Sequence, residues 1–190
     1  MRWIWIDRIL ELDRGVRSVA IKNISLAEEV LHDHFPPASP LKPAGESLSL
    51  RGSPVPPRPA DPVMPHTLII EGMAQTAGIL VGHARDFREK VILAKIGKAI
   101  FHGDALPGMT LRYTAHIDRI DDSGASTTGT VELLDPSKPG DATHLADIEL
   151  MFSHIDQNMR GLAFPEHNFV FTGQFMDLLT RCGFPPPGGA

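Results

Sequence analysis

Apolar and polar positions change rhythm several times along the chain, and each rhythm implies an element. From Ile6 to Asp13 and from Val16 to Asn23, two mixed strand-like runs flank Asp13-Arg14-Gly15, a short Gly-containing link of the hairpin kind. Ser25 followed by Glu28 has capping-box spacing, so SLAEEVL predicts a short helix beginning at Ser25. Between Pro37 and Asp61 the prolines remove backbone donors and fix φ, while Gly, Ser and Ala offer little to bury, which makes a loop or arm and not a domain. The run PVMPHTLIIEGMAQTAGIL, residues 62–80, is apolar almost throughout and has few β-branched interior residues after Ile70. It predicts a buried helix from about Thr67 to His83, with Pro65 just before the start, where a missing N–H does no harm.

From Lys90 onward the rhythm becomes that of strands. In MTLRYTAHIDRI, Leu111, Tyr113, Ala115 and Ile117 share one face, and Thr110, Arg112, Thr114, His116 and Asp118 share the other. Asp121 to Gly124 is a turn, ASTTGTVELL a second strand, Pro136 to Asp141 another turn, and HLADIELMF a third strand. In the tail, FMDLLTRC predicts one more helix, preceded by Thr172 as N-cap and stopped by Gly183 and Pro185. A helix that is apolar nearly all round must be wrapped, and a curved antiparallel sheet is the simplest wrapper, giving an α+β fold.

Composition bounds this picture without redirecting it. The 190 residues suit one domain with appendages: residues 1–155 as the domain, a Pro-rich insertion at 37–61, and a C-terminal extension at 156–190 with one short helix. About 150 residues bury roughly 70% of their unfolded surface, so a real core is available. The 42% hydrophobic and 22% charged content is ordinary for a globular chain. A net charge of -5 argues against nucleic acid as partner. Cys182 is the single cysteine, which excludes an internal disulfide and a cysteine metal cage and fits a reducing compartment. The start, MRWIWIDRILELD, lacks the long apolar core of a signal peptide, so the expectation is a cytoplasmic protein without a membrane span.

Candidate chemistry centres on one carboxylate. Thr67, Glu71 and Gln75, spaced by four, form a polar stripe down the otherwise apolar helix. If Glu71 is buried, desolvation raises its pKa above the reference of about 4.3 and lets it hold and donate a proton near neutrality. The plainer reading is a buried hydrogen bond or ion pair with no chemistry.

Context bears on that choice. "DHFP", carrying His34, followed by "PVMPHTLIIEGMAQ" resembles the paired signature of the FabZ-type beta-hydroxyacyl-(acyl-carrier-protein) dehydratases. "IDRILELDRGVRSVAIKNIS" resembles that family's opening hairpin and "AIFHGDALPGMTL" its later strand connection, so the resemblance runs from about Ile6 to about Ser153. It implies a hot-dog fold, a curved antiparallel sheet around a long central helix. It also implies a homodimer whose sites each combine His34 of one subunit with Glu71 of the other, and many members assemble further into trimers of dimers. No cofactor or metal is implied.

Dehydration of a 3-hydroxyacyl thioester, on acyl carrier protein or coenzyme A, needs a base for the α-carbon proton, an acid for the departing hydroxyl and donors for the thioester oxygen. His34 suits the first role and a protonated Glu71 the second. The free N–H groups at the helix start, near His66 and Thr67, suit the third. Gln75 can orient Glu71, and Met64, Leu68, Ile69 and Phe101 are candidates for an apolar acyl tunnel. The product would serve fatty acid synthesis. A hot-dog acyl thioesterase and a non-catalytic acyl-binding or assembly module are the alternatives.

Several residues depart from the family pattern or have competing readings. His66 stands where the family usually has Gly, and a histidine would be strained if that position needs φ > 0. Ile100 replaces an arginine common before the family's phenylalanine. The insertion is either a surface excursion or a lid. Arg85, Arg88, Lys90, Lys95 and Lys98 could dock an acidic carrier protein or form a solvated face. His83, at the helix end, suits a cation facing the dipole. Gly72, Gly78 and Gly82 suggest close packing of helix on sheet. His32 and His34 share a strand face without a further recognised metal ligand, and His102, His116 and His144 read as ordinary strand or loop residues.

Overall fold

The computed structural model describes residues 4–32, 62–155 and 168–186. The opening hairpin is strand β1 (Arg8–Asp13) against strand β2 (Arg17–Asn23), turned at Gly15, whose φ of 69° suits a residue without Cβ. A one-turn helix α1 (Glu29–His32) follows, then the central helix α2 (His66–Ala84). Strands β3 (Val91–Phe101), β4 (Thr110–Asp121), β5 (Gly124–Leu134) and β6 (Ala142–His154) lead to a tail helix α3 (Gly173–Arg181). The Pro-rich segment 37–61 and His34 lie outside the described residues.

All six strands form one antiparallel sheet in the order β1-β2-β4-β5-β6-β3. Helix α2 touches every one of them. Six strands span about 24 Å at the usual spacing and a helix is about 10 Å wide, so the sheet must curl around it. This is the arrangement expected of a hot-dog fold. The alternation in β4 is realised, since Leu111, Tyr113 and Ala115 are fully buried and His116 is exposed.

The predicted central helix is right to within one residue at each end, and Pro65 occupies its N-cap position. The helix at Ser25 is shorter than expected, and the capping box does not form. Glu28 sends its carboxylate to Lys22 Nζ at 2.5 Å, while the Ser25 hydroxyl accepts the Ala27 N–H. Regular helix therefore begins only at Glu29. The tail helix has Thr172 at its N-cap as predicted, without a side-chain cap bond, and Gly183 at φ 90° follows it. Leu178 and Leu179 of α3, with Phe171, belong to the same hydrophobic core as the sheet and α2. The tail is thus built onto the domain.

Glycines in α2 set how closely other parts approach it. A Cβ on Gly72 would overlap the Tyr113 ring of β4, so this glycine admits the sheet as expected. A Cβ on Gly82 would instead overlap Phe171 of the tail and meet Phe87. Asp86 and Phe87, at φ 56° and 55°, turn the chain sharply after α2. That left-handed pair is held by the Arg14–Asp86 ion pair at 2.7 Å and by the Phe87 N–H donating to the Gly82 carbonyl at 2.8 Å.

Candidate active site

The polar stripe of α2 forms a connected chain of hydrogen bonds. The Trp5 backbone N–H donates to Gln75 Oε1 at 2.7 Å, which turns the amide so that Nε2 donates to Glu71 Oε1 at 2.8 Å. Gln75 is buried and Glu71 half-buried in the single chain, so the deep burial invoked from sequence is only partial here. Thr67, at the start of the stripe, is exposed.

Glu71 and Gln75 line a cavity of about 470 Å³, within the range that holds small-molecule ligands. Its remaining wall is largely apolar: Ile79 from α2, Val91 and Leu93 from β3, Phe152 from β6, and Phe171 and Phe175 from the tail. Met64, Leu68, Ile69 and Phe101 do not line it. Met64 and Ile69 are fully enclosed in the core, and Leu68 packs against that core half-buried. Sequence reasoning missed the walls that β6 and the tail supply, because these lie far from the motif along the chain.

A second group forms around the helix start. His66 stacks on Phe101 with ring centroids 3.9 Å apart and planes 2° from parallel, and its Nε2 approaches Asp104 Oδ1 at 3.4 Å. His66 is not among the left-handed residues, so it fills the family's glycine position without the backbone strain considered above. This group lies roughly 7 Å along the helix axis from Glu71. The structure brings Glu71 with Gln75 and His66 with Phe101, as two separate clusters.

Electrostatics revise other expectations. Burial, assisted by the Arg14 charge and opposed by Asp86, holds the His83 pKa below its ordinary value, which disfavours the cation that the helix dipole would welcome. Burial pushes the Tyr113 phenol well above its ordinary range. The basic stretch is not one face: Lys90 is buried, Arg85 reaches Asp122 at 3.3 Å, and Arg88 and Lys95 are exposed. His102 and His144, distant in sequence, both aim Nε2 at Asp147 Oδ2, at 3.1 and 3.0 Å. Those two bonds hold the Asp147 carboxyl below the usual carboxylate range. Among the described residues these three form the one cluster with metal-ligand types converging, which no local spacing announces.

Comparison with known proteins joins this geometry to a family. A family profile described as FabA-like domain matches residues 59–134, which include α2 and its stripe. The chain is 32% identical over 151 residues to the 3-hydroxyacyl-(acyl-carrier-protein) dehydratase FabZ of Caldanaerobacter subterraneus, covering 79% of this chain and 86% of that protein. It is 31% identical over 166 residues to the FabZ of Solibacter usitatus, covering 86% and 83%. Among solved structures, an acyl-CoA hydrolase from Staphylococcus aureus superposes with a TM-score of 0.51 at 13% identity, covering 89% of this chain and 85% of that one. The E. coli PaaI protein does so with 0.50 at 11%, covering 79% of each. At such identities the structures speak for the fold alone, and they support the hot-dog assignment. None of the helices among the described residues is long and apolar enough to cross a membrane. By its match to relatives along most of their length, the chain belongs to the FabZ family of 3-hydroxyacyl-(acyl-carrier-protein) dehydratases.

Proposed function

We propose that this protein removes water from (3R)-3-hydroxyacyl thioesters borne on acyl carrier protein, giving trans-2-enoyl thioesters for fatty acid synthesis. The observation that carries the reading is Glu71, fixed by Gln75 at the wall of a largely apolar cavity, in a chain of dehydratase family. His34 takes the proton from the α-carbon, and the electron pair moves toward the β-carbon as its C–O bond breaks. Glu71 gives its proton to the leaving hydroxyl, which departs as water. The Gln75 amide, donating through Nε2 to Glu71 Oε1, holds the carboxyl group in place for that transfer. The free N–H groups at the start of α2, at His66 and Thr67, stabilise charge on the thioester oxygen. Passage of the proton from His34 to Glu71 resets the site.

The homodimer belongs to the same proposal. β3 is an edge of the sheet, and Leu93, Ile96 and Ile100 on it are exposed, as is Met151 on the neighbouring β6. A long apolar edge strand invites pairing with another chain. Leu93 and Val91 also wall the Glu71 cavity, so a second copy at this edge would close the site and deepen the burial of Glu71. Sedimentation of the purified chain should give a dimer or a multiple of one. Arg88 and Lys95 leave cations exposed for an acidic carrier protein.

The test is direct. Purified protein incubated with a 3-hydroxyacyl carrier-protein thioester should form the conjugated enoyl product. Activity no higher than that of a His34→Ala, Glu71→Ala double variant would refute the reading, and release of free acid instead would make the protein a thioesterase.

A further inference from the structure

The tail of this chain lies beyond the residues that match the FabA-like domain, yet it is fastened to the domain at two points and lines the Glu71 cavity between them. At its start, Asn168 donates through Nδ2 to the carbonyls of Phe87 and Glu89, both at 3.1 Å. Asn168 Oδ1 accepts the N–H groups of Val170 at 3.0 Å and Phe171 at 3.2 Å. This closed set of bonds sets Phe171 into the notch that Gly82 leaves in α2, where its ring meets Phe87 edge-on with centroids 5.0 Å apart. At its far end, Leu178 and Leu179 are buried, and Cys182 Sγ accepts the Ile9 N–H at 3.3 Å.

Between these fastenings Val170, Phe171 and Phe175 line the cavity together with Glu71 and Gln75 on α2 and Phe152 on β6. The cavity therefore has a polar part at the reacting carboxyl and an aromatic part supplied by the tail. Apolar surface buried there would tighten binding of an alkyl chain about fourfold per methylene, until the chain meets a ring. We infer that the tail segment is the end wall of the acyl site and that Phe175, the half-buried ring on the inner side of α3, sets the length of unbranched acyl chain accepted. This rests on the dehydratase reading for the identity of the ligand, and it adds a residue that selects substrate.

The experiment uses the full chain with Phe175→Ala, which lengthens the pocket, and Phe175→Trp, which shortens it. Thermal unfolding of each variant is measured alongside, to confirm that the fold is retained. Two readouts are taken over a series from hydroxybutyryl to hydroxypalmitoyl. One is kcat/KM for carrier-protein thioesters. The other is calorimetric Kd for matching saturated acyl-pantetheine thioethers, which cannot be dehydrated. Opposite shifts of the preferred length, with the long-to-short ratio rising about tenfold or more in Phe175→Ala and falling in Phe175→Trp, are expected from two or more methylenes of altered burial. Unchanged length profiles in two folded variants would overturn the inference, as would absence of thioether binding by the parent protein. Shifted thioether binding without any enoyl product would uphold the wall and sink the dehydratase reading.

Discussion

Two glutamates near the central helix make a useful contrast. Glu71, in the first half of α2, has a neutral amide as partner and a cavity beside it. Glu89, past the end of the helix, pairs at 2.9 Å with Nδ1 of His154, an imidazole with no exposed surface, and its own carbonyl is held by Asn168. Glu89 does not line the Glu71 cavity. A carboxylate matched to an enclosed imidazole and hemmed in by chain has a structural task. One held by an amide against open apolar space can exchange a proton with something that enters. On the proposed reading, the same residue type serves stability at one end of the helix and chemistry at the other.

The contrast is broken most sharply at Glu71. Glu71→Gln should lower kcat by about 10²–10⁴-fold while leaving the unfolding midpoint nearly unchanged, since loss of a positioned acid has that typical cost. Next, Gln75→Ala should lower kcat by up to about 10²-fold through misplacement of the carboxyl group, with Glu71 still present. Equal kcat in the parent and this variant would mean that the hydrogen bond between the two side chains does not position the acid. Glu89→Ala should do the reverse of Glu71→Gln. It should cost about 1–3 kcal/mol in urea unfolding, from the partner lost to a buried imidazole, and leave kcat intact.

Smallest is the effect at Asp147, whose carboxyl is held low by His102 and His144. A depressed carboxylate contributes stability that is present above the ordinary carboxylate range and is lost as pH falls through its folded pKa. Asp147→Asn should therefore be slightly less stable than the parent near neutrality, with the two converging in acid. A gap that widened toward low pH would contradict this.

Local pattern made the scaffold legible. The hairpin, the central helix and the three-strand meander follow from periodicity and turn residues, because those signals lie within a few positions of one another. What depends on distant neighbours was not legible. Glu28 satisfies a capping spacing, yet Lys22 across the turn takes its carboxylate. Lys90 reads as one of a basic run but is buried where β3 begins. Gly82 announces close packing without saying that its partner is Phe171, far along the chain. Glu71 and Gln75 were readable as a pair, because helical spacing alone places them together. The aromatic end of their cavity was not, because β6 and the tail supply it.

The central claim is that His34 and Glu71 complete one site from two copies of the chain, and complementation tests it most directly. Inactive His34→Ala and Glu71→Gln chains, co-expressed and purified together without separating the dimers, should regain roughly a quarter of the parent activity, since random pairing restores one of two sites in half of the dimers. Mixed dimers that form, as read by native mass spectrometry, yet stay as inactive as either parent variant would contradict it.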